Sequence, residues 1–194
     1  MNWTDAFADL ARQKFAGLTA AEITERWAWV DNLATDAATV LEPENLRRMP
    51  PAEIYEHLRR LSFNGVPIRL TNLGRVNDAE RIVEALIKLL TTPGDFAARY
   101  RAAKFPQAGL VTLTEILCAA RPTRFVCRSS GFTRALAKAT PLYSYAALNE
   151  MGYEEFLDLC RVLSDELVNF PDNGGVVRRR AQNYRYLWLY AVLT

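Results

Sequence analysis

The chain has 194 residues, half of them hydrophobic and 24% charged, with a formal net charge of +2. This is ordinary globular composition, enough for one large domain or two small ones whose core needs neither disulfide nor metal. Three cysteines (Cys118, Cys127, Cys160) without ligand spacing and a lone His57 exclude a four-ligand zinc site, no apolar run is long enough to span a membrane, and the acid-bearing start MNWTDAFADLARQKF lacks the apolar stretch of a secretory signal, so a cytoplasmic protein with reduced thiols is expected.

Helix signals recur along the whole length. Thr4 is placed to cap a first helix bearing Phe7, Leu10 and Ala11, which Gly17 ends. Thr19 and Glu22 have capping-box spacing, and Ile23, Trp27, Val30 and Leu33 follow at helical period, with Pro43 at or past the end. Pro50-Pro51 open a helix aligned on Ile54, Leu58 and Leu61, and Asn64-Gly65 mark a turn before the one plausible strand, Val66 to Leu70. A second capping box (Asn77, Glu80) opens AERIVEALIKLL, which Pro93-Gly94 breaks. Asp95 caps a helix running to about Phe105. A third box (Thr112, Glu115) opens LTEILCAA, closed by Pro122, and Ser129 or Ser130 caps GFTRALAKA. A short helical stretch after Pro141 ends near Met151-Gly152, Tyr153 begins a striped helix bearing Phe156, Cys160, Leu163 and Leu167, and the chain closes on VVRRRAQNYRYLWLYAVLT. The expected fold is all-α, a single irregular bundle of about eight to ten helices. Residues 1–75 form an N-terminal helical subdomain and 76–194 a basic C-terminal one, within what reads equally as one continuous core.

Charge is unevenly spread. Residues 1–97 carry 11 Lys/Arg against 14 Asp/Glu, whereas within 98–138 eight basic residues face one acid, Glu115. Such a region attracts polyanions. Arg121, Arg124, Arg128, Arg134 and Lys138 crowd around a helix start at Ser129 and Ser130, where free N–H groups and two hydroxyls suit a phosphate. The alternative is a capped helix whose arginines pair with the acidic first half. In the last helix Arg178 and Arg185 share a face, Arg179 lies alongside, and the interleaved Tyr and Trp residues suit base stacking, a protein interface or simple burial in the core.

Catalytic patterns are absent from the sequence. His57, the one available base, sits on an amphipathic helix, so a Ser-His-Asp or Cys-His pair has no support. Carboxylates such as Glu53/Glu56 and Glu154/Glu155/Asp158 lack nuclease or glycosidase spacing, and there is neither a GxxxxGK[ST] nor a GxGxxG loop. No cofactor is implied.

The run Thr114-Glu115-Ile116-Leu117, Pro122, Phe125-Val126, Ala135-Leu136, Gly152-Tyr153-Glu154-Glu155-Phe156 and Tyr186-Leu187-Trp188 resembles, in order, an all-helical domain of bacterial restriction and defence proteins found beside McrB-type ATPases. More distantly it resembles helix-hairpin-helix DNA glycosylase-type domains. The resemblance covers about the second half and implies a DNA-processing setting. It departs from glycosylases where an Asp is needed near Cys127, since no acid lies between Glu115 and Glu150. The expectation is therefore a non-catalytic module contacting DNA or RNA. The alternatives are a subunit docking an ATPase or nuclease through its C-terminal helix, and an enzyme with an unfamiliar carboxylate site.

Overall fold

The computed structural model describes residues 3–67, 79–103, 109–171 and 174–194. Among them the chain is all-α, with twelve helices and a single two-stranded hairpin. Helix α1 (Trp3–Phe15) ends before Gly17, whose φ of 73° reverses the chain. The Thr19 hydroxyl then accepts the Glu22 amide at 3.3 Å, while the Glu22 carboxylate accepts the Thr19 N–H at 2.7 Å. The Thr19 N–H first, and then the Thr19 hydroxyl, which also donates to the carboxylate at 2.7 Å, hold the Glu22 carboxyl below its ordinary range. The helix they open does not run on to Pro43. It breaks at Trp27 (φ −116°, ψ 25°) into α2 (Ala20–Arg26) and α3 (Ala28–Val40). The break has a tertiary cause: the Trp27 indole donates to the Ala191 carbonyl at 3.2 Å and its ring packs edge-on against Phe15 and Trp188.

Pro43 begins a helix rather than ending one, at the first position of α4 (Pro43–Arg48), and Pro51 does the same for α5 (Pro51–Arg60). This short helix and the break at Trp27 raise the helix count above eight to ten. Asn64 and Gly65, with φ of 50° and 79°, make the hairpin turn joining β1 (Ser62–Phe63) to antiparallel β2 (Val66–Pro67). The rest of the expected strand, to Leu70, and the box at Asn77 lie outside the described residues.

Helix α6 (Ala79–Thr91) is followed by α7 (Phe96–Ala103), where the Asp95 carboxylate accepts the Ala98 amide at 2.7 Å. Next come α8 (Leu110–Ala120), α9 (Ser130–Ala139), α10 (Tyr145–Glu150), α11 (Tyr153–Val168) and α12 (Val176–Leu193). The capping box expected at Thr112 and Glu115 does not form. Gly109 is the cap of α8, and Thr112 and Glu115 are buried within the helix, which is enclosed from Thr112 to Ala120. A helix covered all round is a core helix, so its residues face neighbours and not solvent.

Helix α12 organises the packing. It lies most extensively against α11 and also touches α2, α3, α8 and α9. Its Trp188 is fully buried beside Phe15 and Trp27. One cluster of buried apolar side chains runs from Phe7 to Val192, drawing on both sides of the boundary expected near residue 75. At Tyr184 (φ −131°, ψ 26°) α12 kinks, and the Tyr186 amide donates at 2.8 Å to the carbonyl of Pro122 in the turn after α8. No helix among the described residues is long and apolar enough to cross a membrane.

Candidate nucleic-acid interface

The site grows from the stop signal of α8. Pro122 cannot continue the helix, so the chain turns at Arg121, where the carbonyl accepts the amides of Arg124 (2.9 Å) and Phe125 (3.1 Å). The turn places two arginines three residues apart at its two ends. Arg124 is exposed, reaches the Gly94 carbonyl at 3.2 Å and lies 5.3 Å from the Phe125 ring centre. Arg121 is half-buried and meets the Glu42 carboxylate at 3.5 Å. Arg99 of α7 also sits over the Phe125 ring, and its guanidinium ties down the last carbonyls of α6, Leu89 and Leu90, at 3.0 and 2.9 Å. Its affinity for its proton is lowered first by burial and then by the charges of Arg124 and Arg121. Arg99 itself is buried, so Arg121, paired with Glu42, and Arg124 are the cations that this turn presents to water.

Arg128 requires a correction. It is only 7% exposed, and its guanidinium donates to the carbonyls of Leu148 (2.9 Å), Asn149 (3.0 Å) and Met151 at the end of α10, 5.0 Å from the centre of the Phe156 ring. It closes a helix end from within and is not part of an open cationic face. Ser129 is likewise committed: its hydroxyl accepts the Phe132 amide at 3.3 Å as the cap of α9. Ser130, one residue on, is exposed. Arg134 and Lys138 lie one turn apart on α9, both exposed, with Arg134 over the Tyr145 ring at 5.5 Å.

The C-terminal helix divides its arginines three ways. Arg178 and Arg179 are exposed in its first turn. Arg180 is buried, paired with Asp31 and set over Trp188 at 5.2 Å. Arg185 is paired with Asp165 of the neighbouring α11. The shared face expected of Arg178 and Arg185 is therefore interrupted, by the kink at Tyr184 and by this ion pair. The aromatic residues expected as a partner-binding anchor are core: Tyr186, Leu187, Trp188 and Leu189 are all buried. Tyr186 and Trp188 are therefore committed to the core, while Tyr184 and Tyr190 are half-buried.

The chemistry-bearing side chains outside the basic region are enclosed. Cys118, Cys127 and Cys160 are fully buried free thiols. Burial is the first cause that pushes all three thiols up, joined by Glu115 and Cys160 at Cys118, by Cys118 and Glu115 at Cys127, and by Cys127 at Cys160. Glu115, which an enzymatic reading would use, is buried in α8. His57 is half-buried on α5 in a recess lined also by Asp36, Thr39 and Arg60, where the Thr39 hydroxyl donates to the Thr35 carbonyl at 3.0 Å. Among the described residues no group of three or more His, Cys, Asp and Glu is arranged to hold a metal ion. A cleft of about 710 Å³ between α1 and α2 is lined by Phe15, Leu18, Ile23 and Phe170, with Arg12 and Thr19 at its edge, and contains no acid–base pair.

Two residues of this region were not singled out in the sequence. Arg99 lies in FAARYRAA within the basic stretch, yet its return to α6 depends on the break at Pro93-Gly94. Tyr145 is exposed beside Arg134 only because the corner after α9 folds α10 back. Comparison of the chain with protein-family models, curated protein sequences and solved structures gives no match.

Proposed function

We propose that the protein is a non-catalytic helical module that binds the phosphate backbone of a nucleic acid through the surface around Arg121, Arg124, Arg134 and Lys138. The observation that carries this reading is the exposure of Arg124, Arg134 and Lys138, with the partly exposed Arg121 beside Arg124, while Arg99 adds its charge from beneath the surface. Like charges held together at the end of a rigid helix cost stability, and a polyanion relieves that cost. Arg134 and Lys138 extend the positive surface along α9, with Arg178 and Arg179 as a separate exposed pair. Buried thiols and a buried Glu115 support a binding role over an enzymatic one. The DNA-processing or defence setting rests on the motif resemblance of the second half alone.

The test is fluorescence anisotropy with labelled oligonucleotides across a salt series. Binding is expected to fall steeply with salt, and Arg124→Glu with Lys138→Glu is expected to weaken it at least tenfold and to flatten the salt slope, by about one unit for each phosphate no longer neutralised. Both side chains are exposed, so the fold should persist. Absence of binding at low salt, or affinity unchanged in the double variant, overturns the proposal. Arg128 is left intact because its loss would damage α10.

A further inference from the structure

We infer that the corner between α9 and α10 is a stacking platform for an unpaired nucleobase, so that the nucleic acid is single-stranded where it crosses Tyr145. This rests on the nucleic-acid reading and specifies its ligand. Three features coincide there. Tyr145 is 37% exposed although aromatic, and the Arg134 guanidinium lies over its ring at 5.5 Å, fixing the ring's orientation. Leu142, at 71%, has the highest exposure among the large exposed apolar residues described. Lys138 stands one helical turn beyond Arg134, also exposed.

The corner is built rather than loose. Thr140 is fully buried and its hydroxyl donates to the Leu136 carbonyl at 2.7 Å, the Tyr143 amide donates to the Thr140 carbonyl at 3.0 Å, and the Ser144 hydroxyl accepts the Ala147 amide at 3.1 Å. Anchored on both sides, Pro141 and Leu142 are held outward. The result is an apolar and an aromatic surface presented to water beside Arg134, with Lys138 one helical turn along α9. A base has a flat apolar face matching Tyr145 and Leu142, and its phosphates match Arg134 and Lys138. A duplex hides its base faces within the stack and could use only the cations. Local charge favours this occupant over a protein surface, since α9 presents Arg134 and Lys138 to water and carries no acid.

The experiment compares a thymine oligodeoxynucleotide, a uracil oligoribonucleotide of the same length and a DNA duplex, by anisotropy at low salt. Either single strand is expected to bind at least tenfold more tightly than the duplex. Tyr145→Ala is expected to cost the single strand roughly tenfold, within the range set by stacking one base on an aromatic ring, and to leave the duplex within twofold. Tyr145→Phe, which keeps the ring, is expected to restore the affinity, and circular dichroism checks that each variant is folded. As a second readout, the fluorescence of Tyr145→Trp is expected to be quenched by the single strand and not by the duplex. Equal affinity for single strand and duplex, or no change in Tyr145→Ala, overturns the platform while leaving backbone binding intact. No binding of any probe overturns both.

Discussion

Replacing Arg128 with methionine should destabilise the fold, whereas the same change at Arg124 should not. Both arginines belong to one short stretch of sequence, but Arg128 is 7% exposed and donates to three carbonyls. Of those carbonyl-bearing residues only Leu148 is buried; Asn149 and Met151 are reached by water. Losing a charge-assisted bond to a buried carbonyl costs about 2 kcal/mol, and the two solvated ones about 1 kcal/mol together. The stacking on Phe156 adds about 1 kcal/mol, and the relief of no longer burying a cation returns about as much. The expected loss is about 3 kcal/mol, a large share of the roughly 5–15 kcal/mol that stabilises a domain. With a urea slope of about 2 kcal/mol per molar, the unfolding midpoint should fall by about 1.5 M. Arg124→Met should stay within about 0.5 kcal/mol, as an exposed substitution does. Arg128→Lys should recover less than half of the loss, because all three bonds leave the outer Nη2 nitrogen, which the shorter lysine stem does not reach, and the planar contact with Phe156 goes with the guanidinium. Equal midpoints for Arg124→Met and Arg128→Met would refute the assignment of Arg128 to closing α10.

The three buried thiols should resist Ellman's reagent in the native protein at pH 8 and react fully in urea, since burial keeps each protonated and out of reach; rapid native reaction of any one would contradict its placement. Burial pushes the Tyr190 hydroxyl up to about 12. A group raised above its unfolded value contributes stability that is present below the unfolded pKa and is lost as pH climbs towards the folded one, so stability should decline between about pH 10 and 12. Tyr190→Phe should shrink that decline, measured by urea melts across the alkaline range. Trp188→Ala should cost about 3–5 kcal/mol through the void left beside Phe15 and Trp27. A loss under about 1 kcal/mol would mean that α12 is not the packing centre.

What was legible in the sequence is what local chemistry determines. The Thr19 box, the first-turn Pro51, the Asn64-Gly65 turn, the Asp95 cap and the stop at Pro122 are all decided within a few residues, and each formed. The Thr112-Glu115 pattern failed because its spacing says nothing about where the helix starts: Gly109 begins α8 a turn earlier, and packing from all sides then buries both residues. The break at Trp27 was invisible because its partner carbonyl, Ala191, lies 164 residues away. The arginines show the same limit. Their density marked a basic region correctly as sequence, but Arg128 and Arg180 turn inward onto carbonyls and Asp31, and Arg185 finds Asp165. Nothing local separates those from Arg124, Arg134 and Lys138. The last helix offered burial, stacking and docking as alternatives, and only the position of Phe15 and Trp27 selects burial.

The bond from the Tyr186 amide to Pro122 fastens the Arg121–Arg124 turn to the innermost helix of the protein. Shifting that turn would require prising a hydrogen bond out of the interior, so under the proposed function the backbone that carries its two cations would need no rearrangement to receive an anion. On that reading only side-chain freedom would be frozen on association, and the affinity of this corner should owe more to its readiness than to how many groups it touches.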